Sequence, residues 1–223
     1  MKKQRKKEKM KIYILADGNG ARWNNYTGRP KQLLEIDGET LLDRMIRQLV
    51  EYGAGDIFIV GPYKSPYADN IRFNSKTKRE LFQEIGEKTL EPFILLNGDC
   101  FYTDAIIKDC LEREPERGWL HWCCPHPNYY TGKPWGEGYI HKVTNVEWWI
   151  RKLKQYNALV EAKAIQIGND WSINRFLYGA ADLVRHSVNI NDLSIYDVYW
   201  HDETDDFDFP QDYDRFMDWT KRR

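Results

Sequence analysis

The sequence predicts a three-layer α/β fold, with a mostly parallel central sheet and helices on both faces. Three observations point there. Short apolar runs alternate with helical patterns through the first 125 residues, as chained strand–helix–strand units do. Polar and glycine-rich turns punctuate the alternation. The chain of 223 residues is 14% aromatic, with 9 Trp and 14 Tyr, enough to build one well-buried core and too apolar for disorder.

Taken in order, residues 1–10 have nothing to bury and are expected to form a basic flexible tail. A single domain is expected from 11 to 223, because no linker and no internal repeat interrupts it. "KIYILA" reads as the first strand. "ETLLDRMIRQLVEYGAG" places Leu41, Leu42, Met45, Ile46, Leu49 and Val50 at helical spacing, and glycines close it. "DIFIVG" is a second strand. "SKTKRELFQEIGE" is a helix expected to open at Ser75. "PFILLNGD" is a third strand ending in Gly98 and Asp99, and "TDAIIKDCLERE" a helix with Thr103 as N-cap. "GWLHWCC" is a fourth strand. "PHPNYYTGKPWGEGYIHKV" has the Pro, Gly and aromatic content of a pocket-shaping loop. "NVEWWIRKLKQYN" then looks helical, "AKAIQIG" and "DLSIYDVYW" strand-like, and "FPQDYDRFMDWTKRR" forms a helix led by Pro210.

Charge and cysteine content exclude several functions. The formal net charge of −1 argues against whole-protein attraction to nucleic acid. The cluster from Lys2 to Lys11 offers a nucleic-acid contact, but its lack of aromatics favours a solvated tail. No apolar run nears the roughly 20 residues of a membrane helix, and no signal-peptide core follows the basic start. A cytoplasmic chain is expected. Cys100, Cys110, Cys123 and Cys124 lack CxxC spacing and fit reduced thiols. His121, Cys123, Cys124 and His126 are metal-capable, yet adjacent cysteines on a strand face opposite ways, which speaks against zinc.

The stretch "ILADGNGARWNNYTGRPKQLLEIDGETLLDR" carries the functional signal. A strand that runs into Gly18-x-Gly20 and Arg22 can present backbone N–H groups in a concave turn suited to phosphate oxygens. The string has neither the third glycine of a dinucleotide loop nor the G-K-[ST] of a P-loop. As a whole, through Leu15, Ala16, Gly18, Gly20, Arg22, Pro30, Lys31, Leu34, Ile36, Gly38 and Leu41, it resembles the nucleotidyltransferases with a glycosyltransferase-A-like fold. These are the sugar-phosphate nucleotidyltransferases and molybdenum-cofactor guanylyltransferase-like proteins. The resemblance implies a nucleotide-diphospho-sugar transferase-like sheet whose glycine loop wraps a nucleoside triphosphate. Arg22 would hold the β/γ-phosphates and Lys31 the α-phosphate under attack. Asp17 stands where the family usually has Ala or Gly, and suits a ribose hydroxyl, a base amine or the metal.

Phosphoryl chemistry between two anions calls for a screening cation, and Mg²⁺ (or Mn²⁺) takes one or two carboxylates plus phosphate oxygens. Asp99 follows a buried strand, where open α/β sheets place ligands. Asp206-Phe-Asp208-Phe-Pro210-Gln-Asp212 resembles the family's closing acidic motif, which makes Asp208, then Asp206, the second metal ligand. Phe209 replaces the usual Thr. By the same resemblance Gly136 would line an acceptor pocket, with Trp135 and Glu137 against a sugar. Lys142 could reach a phosphate, although a surface lysine is the commoner case. The reaction implied is transfer of a nucleoside monophosphate to a small phosphorylated acceptor with release of pyrophosphate. The alternative is a glycosyltransferase of the same fold using a nucleotide-sugar donor, against which "DCF" offers a single acid rather than D-x-D.

Overall fold

The computed structural model describes residues 10–222 apart from 19, 21, 117, 125–127, 129, 134–136, 165–172, 174–176 and 178–196. In chain order its strands are β1 (Lys11–Leu15), β2 (Glu35–Ile36), β3 (Glu39–Thr40), β4 (Ile57–Val60), β5 (Asp69–Ile71) and β6 (Phe93–Asn97). They continue with β7 (Cys100–Phe101), β8 (Trp119–Cys124), β9 (Glu137–Val143), β10 (Asp197–Tyr199) and β11 (Asp205–Asp206). The helices are α1 (Leu41–Glu51), α2 (Lys78–Thr89), α3 (Asp104–Glu112), α4 (Val146–Glu161) and α5 (Pro210–Thr220).

Seven strands make the central sheet in the order β10-β8-β9-β6-β1-β4-β5. Its pairings are parallel except those of β9, which runs antiparallel to both β6 and β8. Strand alternation divides the core into two layers. Ile12, Ile14, Ile57, Ile59, Ile94 and Leu96 face Leu42, Met45, Ile46 and Leu49 of α1 and Ile106, Ile107 and Cys110 of α3. Tyr13, Val60, Phe93 and Leu95 face the other way, onto Phe82 and Ile85 of α2 and Trp149, Leu153 and Tyr156 of α4. Each such side chain contributes about 1.5–3 kcal/mol by leaving water. The predicted three-layer architecture is the observed one.

A third cluster joins the two ends of the chain. Trp23, Leu34, Ile36 and Leu41 pack against Phe101, Phe207 and Phe216, which seats α5 on the β2–β3 hairpin. That hairpin turns through Asp37 (φ 54°) and Gly38 (φ 80°), both left-handed as a tight primed turn requires.

Several expectations are corrected. Helix α2 opens at Thr77, not Ser75. Thr77 accepts from the Glu80 amide while the Glu80 carboxylate accepts from the Thr77 amide, and Ser75 has Lys78 three residues on and cannot form that box. The supposed loop through residue 143 becomes strand β9 from Glu137 onward. Residues 162–164 are a turn with Lys163 at φ 55°, and the remainder of "AKAIQIG" lies outside the described residues. Lys142 is buried, and its ammonium donates to the carbonyls of Leu111 and Arg113, closing the C-terminus of α3. Thr103 does cap α3. All four cysteines are buried and unbridged. Among the described residues no helix is long and apolar enough to cross a membrane.

Candidate active site

The parallel strands end level with one another. Leu15 at the end of β1 registers with Val60 of β4 and with Asn97 of β6, so three strands release their loops along one edge. Two glycines let those loops crowd β1. A Cβ on Gly61 (φ 153°) would lie 2.7 Å from the Ala16 carbonyl oxygen, and one on Gly98 would lie 2.7 Å from that of Leu15. Ala16 is buried between them and donates its amide to Val60. Beyond it, Gly20 adopts φ 57° and so needs to be glycine, whereas Gly18 has room for a Cβ, 3.8 Å from Gln32, and leaves the space before it open. Asp17 is exposed on the same edge and its charge reaches Tyr63, whose phenol is pushed up by burial and then by Asp17.

The cations of the loop meet acids from far along the chain. Pro30 starts a short 3₁₀ turn, Lys31–Leu33, that buries Lys31. The Lys31 ammonium lies 2.6 Å from Asp99 and 3.9 Å from Asp208. Arg22 grips Asp208 with both terminal guanidinium nitrogens, at 2.8 and 2.6 Å, and its guanidinium rests 5.7 Å from the centre of the Phe209 ring. Phe209 thus props Arg22 where the resembling family has Thr. Asp212 accepts from the Phe209 amide at 2.8 Å, the role of a helix N-terminal acid.

Backbone pairing explains the meeting. Strand β11 runs antiparallel to β7, with Asp206 opposite Cys100 and Asp205 opposite Phe101, so the acidic segment lies beside Asp99. Buried Lys133 fastens it, pairing with Asp205 at 3.0 Å, with the Asp206 carboxylate, and with the Asp206 carbonyl at 3.0 Å. Thr131 donates to the other oxygen of Asp205.

Electrostatics divide these acids. Burial opposes the Asp99 charge, but Lys31 more than offsets it and holds Asp99 below the usual aspartate value. Burial likewise opposes the Lys31 charge, and Asp99 lifts it above the usual lysine value. Asp208 is raised, first by burial and then by the Asp206 carboxylate. Among the described residues no three acid, histidine or cysteine side chains form a closed metal cage. Hard carboxylate oxygens in ones and twos, beside an open cleft, fit Mg²⁺ or Mn²⁺ that draws its remaining ligands from phosphates and water.

That cleft encloses about 720 Å³, within the usual range for small-molecule sites. Leu15, Asp17, Gly18, Arg22, Asp99, Asp206 and Asp208 of the predicted set line it. Trp135 and Gly136 lie outside the described residues, as does His126. Glu137 opens β9, but its side chain is not among those described. Sequence reasoning missed Lys133 and Asp205. It also missed Arg72, Lys76, Lys78, His121 and His141, which line the same cleft. The "IVG" ending of β4 was a readable signal for Gly61; the histidines needed the β8–β9 register.

Residues 12–81 match the family model of the MobA-like NTP transferase domain. Among solved structures, the UDP-glucose pyrophosphorylase complexed with UDP-glucose superposes with a TM-score of 0.62 at 13% identity, over 96% of this chain and 100% of that one. The CTP:phosphocholine cytidylyltransferase LicC of Streptococcus pneumoniae gives 0.60 at 15% identity, over 95% and 99%. HddC of Yersinia pseudotuberculosis complexed with GMP-PN gives 0.52 at 14%, over 95% and 99%. Likeness at these identities establishes the fold. No curated protein matches the chain.

Proposed function

We propose, for a chain whose residues 12–81 match the MobA-like NTP transferase domain, a metal-dependent nucleotidyltransferase acting on a small phosphorylated acceptor, a sugar phosphate above all. One observation carries the reading. The two cations that follow the glycine loop meet two acids from far along the chain beside the cleft, with Arg22 paired to Asp208 and Lys31 reaching both Asp99 and Asp208.

The glycine loop holds the triphosphate, and Arg22 and Lys31 bear its charge. An oxygen of the acceptor phosphate attacks the α-phosphorus in line, and the bond to the bridging oxygen breaks to release pyrophosphate. A phosphate nucleophile is ionised at neutral pH and needs no base, so the protein's work is alignment and charge stabilisation. Mg²⁺ or Mn²⁺ held by Asp99 and Asp208, with Asp206 beside them, would supply further screening of the two anions. Lys31, raised and paired, keeps its charge throughout the neutral range.

The test is incubation with each nucleoside triphosphate, Mg²⁺ and a panel of sugar phosphates, scored for pyrophosphate. Release that requires both substrates, and that Asp99→Ala removes in a folded protein, is expected. Hydrolysis of a nucleotide sugar with no pyrophosphate under any combination would instead mark a glycosyltransferase.

A further inference from the structure

The cations and acids beside the cleft are already paired with one another, and the two pairs differ in freedom. Lys31 is fixed in the short 3₁₀ turn, its side chain 9% exposed and its ammonium 2.6 Å from Asp99. Arg22 is not. Its side chain is 61% exposed and lines the cleft, yet its guanidinium lies against Asp208, whose side chain is 5% exposed. Nη1 donates to one carboxylate oxygen at 2.8 Å and Nη2 meets the other at 2.6 Å, so both oxygens are engaged.

The backbone on either side of Arg22 is anchored. Gly20 holds a left-handed φ of 57°, its carbonyl accepts from the Trp23 amide at 2.8 Å, and Trp23 is buried in the third cluster. Motion at this point therefore belongs to the arginine side chain. The Phe209 ring seats its guanidinium at 5.7 Å. If the guanidinium leaves, Asp208 is not stranded, because the Lys31 ammonium stays 3.9 Å away. The contact opposes two kinds of ligand at once. An anion that needs Arg22 must take it from Asp208, and a divalent cation that needs Asp208 meets a carboxylate filled by a positive group. By linkage, a ligand that breaks the contact eases binding of the other kind by the same factor in both directions.

Resting on the nucleotidyl-transfer reading, we infer that Arg22, seated by the Phe209 ring, is an autoinhibitory latch on Asp208, opened by a polyphosphate that draws the guanidinium onto its own oxygens. In the ligand-free chain the latch withholds Asp208 from divalent cations and Arg22 from phosphate. With a polyphosphate in the cleft, Asp208 is released for the cation that screens it. When the polyphosphate leaves, Arg22 returns to Asp208.

Each half is tested by a gain of affinity, which a merely damaged site does not give. The full chain is titrated with Mn²⁺ alone, followed by electron paramagnetic resonance, and with inorganic tripolyphosphate alone in the presence of chelator, followed by calorimetry. Arg22→Met should bind Mn²⁺ about tenfold or more tightly than wild type, the weight of a hydrogen bond to a charged group. Arg72→Met removes a cation that lines the same cleft and pairs with no acid among the described residues, and should stay near the wild-type value. Phe209→Thr alters no charge and puts a favourable residue at the N-cap of α5, and should tighten Mn²⁺ about two- to fivefold by unseating the guanidinium. Asp208→Asn should tighten metal-free tripolyphosphate about tenfold or more, whereas Asp17→Asn, another acid of the cleft, should not. Absence of the gains in Arg22→Met and Asp208→Asn, or equal gains in Arg72→Met and Asp17→Asn, overturns the latch. An unchanged Mn²⁺ affinity in Phe209→Thr overturns the seat. The expected gains in a protein whose wild-type form releases no pyrophosphate from any triphosphate would fail the function reading alone.

Discussion

Replacing Lys31 by methionine keeps the buried stem and deletes one ammonium, leaving Asp99 and Asp208 facing the space it filled. The ammonium lies 2.6 and 3.9 Å from them, and the lysine side chain is 9% exposed. At an effective dielectric near 20 the shorter contact is worth about 6 kcal/mol gross, most of it offsetting the desolvation of the lysine. Removing one partner of a well-buried pair costs about 3–5 kcal/mol. Asp99 keeps 26% of its side-chain surface in water, which lowers the expected loss to about 2–3 kcal/mol. For a chain of this size that is a fall of about 5–10 °C in melting temperature. Millimolar Mg²⁺ should restore part of the fall, since Asp99, stripped of its ammonium, and Asp208, held by Arg22 alone, attract it and binding stabilises the folded state. Turnover should not return. Loss of a group that stabilises transition-state charge costs about 10²–10³ in kcat. Thermal melts with and without Mg²⁺, beside pyrophosphate release, separate the two effects. If Mg²⁺ rescued melting and turnover alike, Lys31 would be only a counter-ion to the acids.

Gly98→Ala and Gly61→Ala should each cost about 1–3 kcal/mol, because the new methyl meets backbone rather than a movable side chain, and both should weaken nucleotide affinity. Wild-type melting and affinity in either would remove the clamp on β1. Lys133→Met strands Asp205 and Asp206 and should lower stability by about 3–5 kcal/mol in urea titration, with Asp205→Asn in the same chain recovering part of it. An additive double mutant would show that the pair is not coupled. The depressed His141 stays neutral in the folded chain where the unfolded chain takes up a proton. Stability should therefore fall below about pH 6.5 by about 1.4 kcal/mol per pH unit until the folded ring also protonates. His141→Gln should flatten that limb in melts from pH 7.5 to 5, and an unchanged slope would assign the acid sensitivity to other groups.

The central strands were legible because β1, β4 and β6 are buried on both faces and read as apolar runs. Strand β9 was not. It lies in the middle of the sheet, yet "GYIHKV" spends His141 on the cleft and Lys142 on the end of α3, so its polar residues mimic a loop. Arg22 and Lys31 were legible through the resemblance carried by the glycine-loop run, and Asp99 through its place past a buried strand together with that resemblance. Asp208 was readable only through a motif, and its partners through none. Its place depends on the β7–β11 pairing and on Phe207 and Phe216 entering the third cluster. Lys78 looked like an ordinary helical lysine, because nothing local says which side of α2 meets the cleft.

The Arg22–Asp208 contact spans 186 residues. At roughly 5–20 residues per second, a ribosome needs about 9–37 s to pass from one to the other. During that interval the glycine loop, Lys31 and Asp99 emerge without the strand that completes them. A nascent chain can assemble β1, β4 and β6 while the acidic edge of its candidate site is still half built. Ligand capture should thus mark the end of folding rather than guide its start.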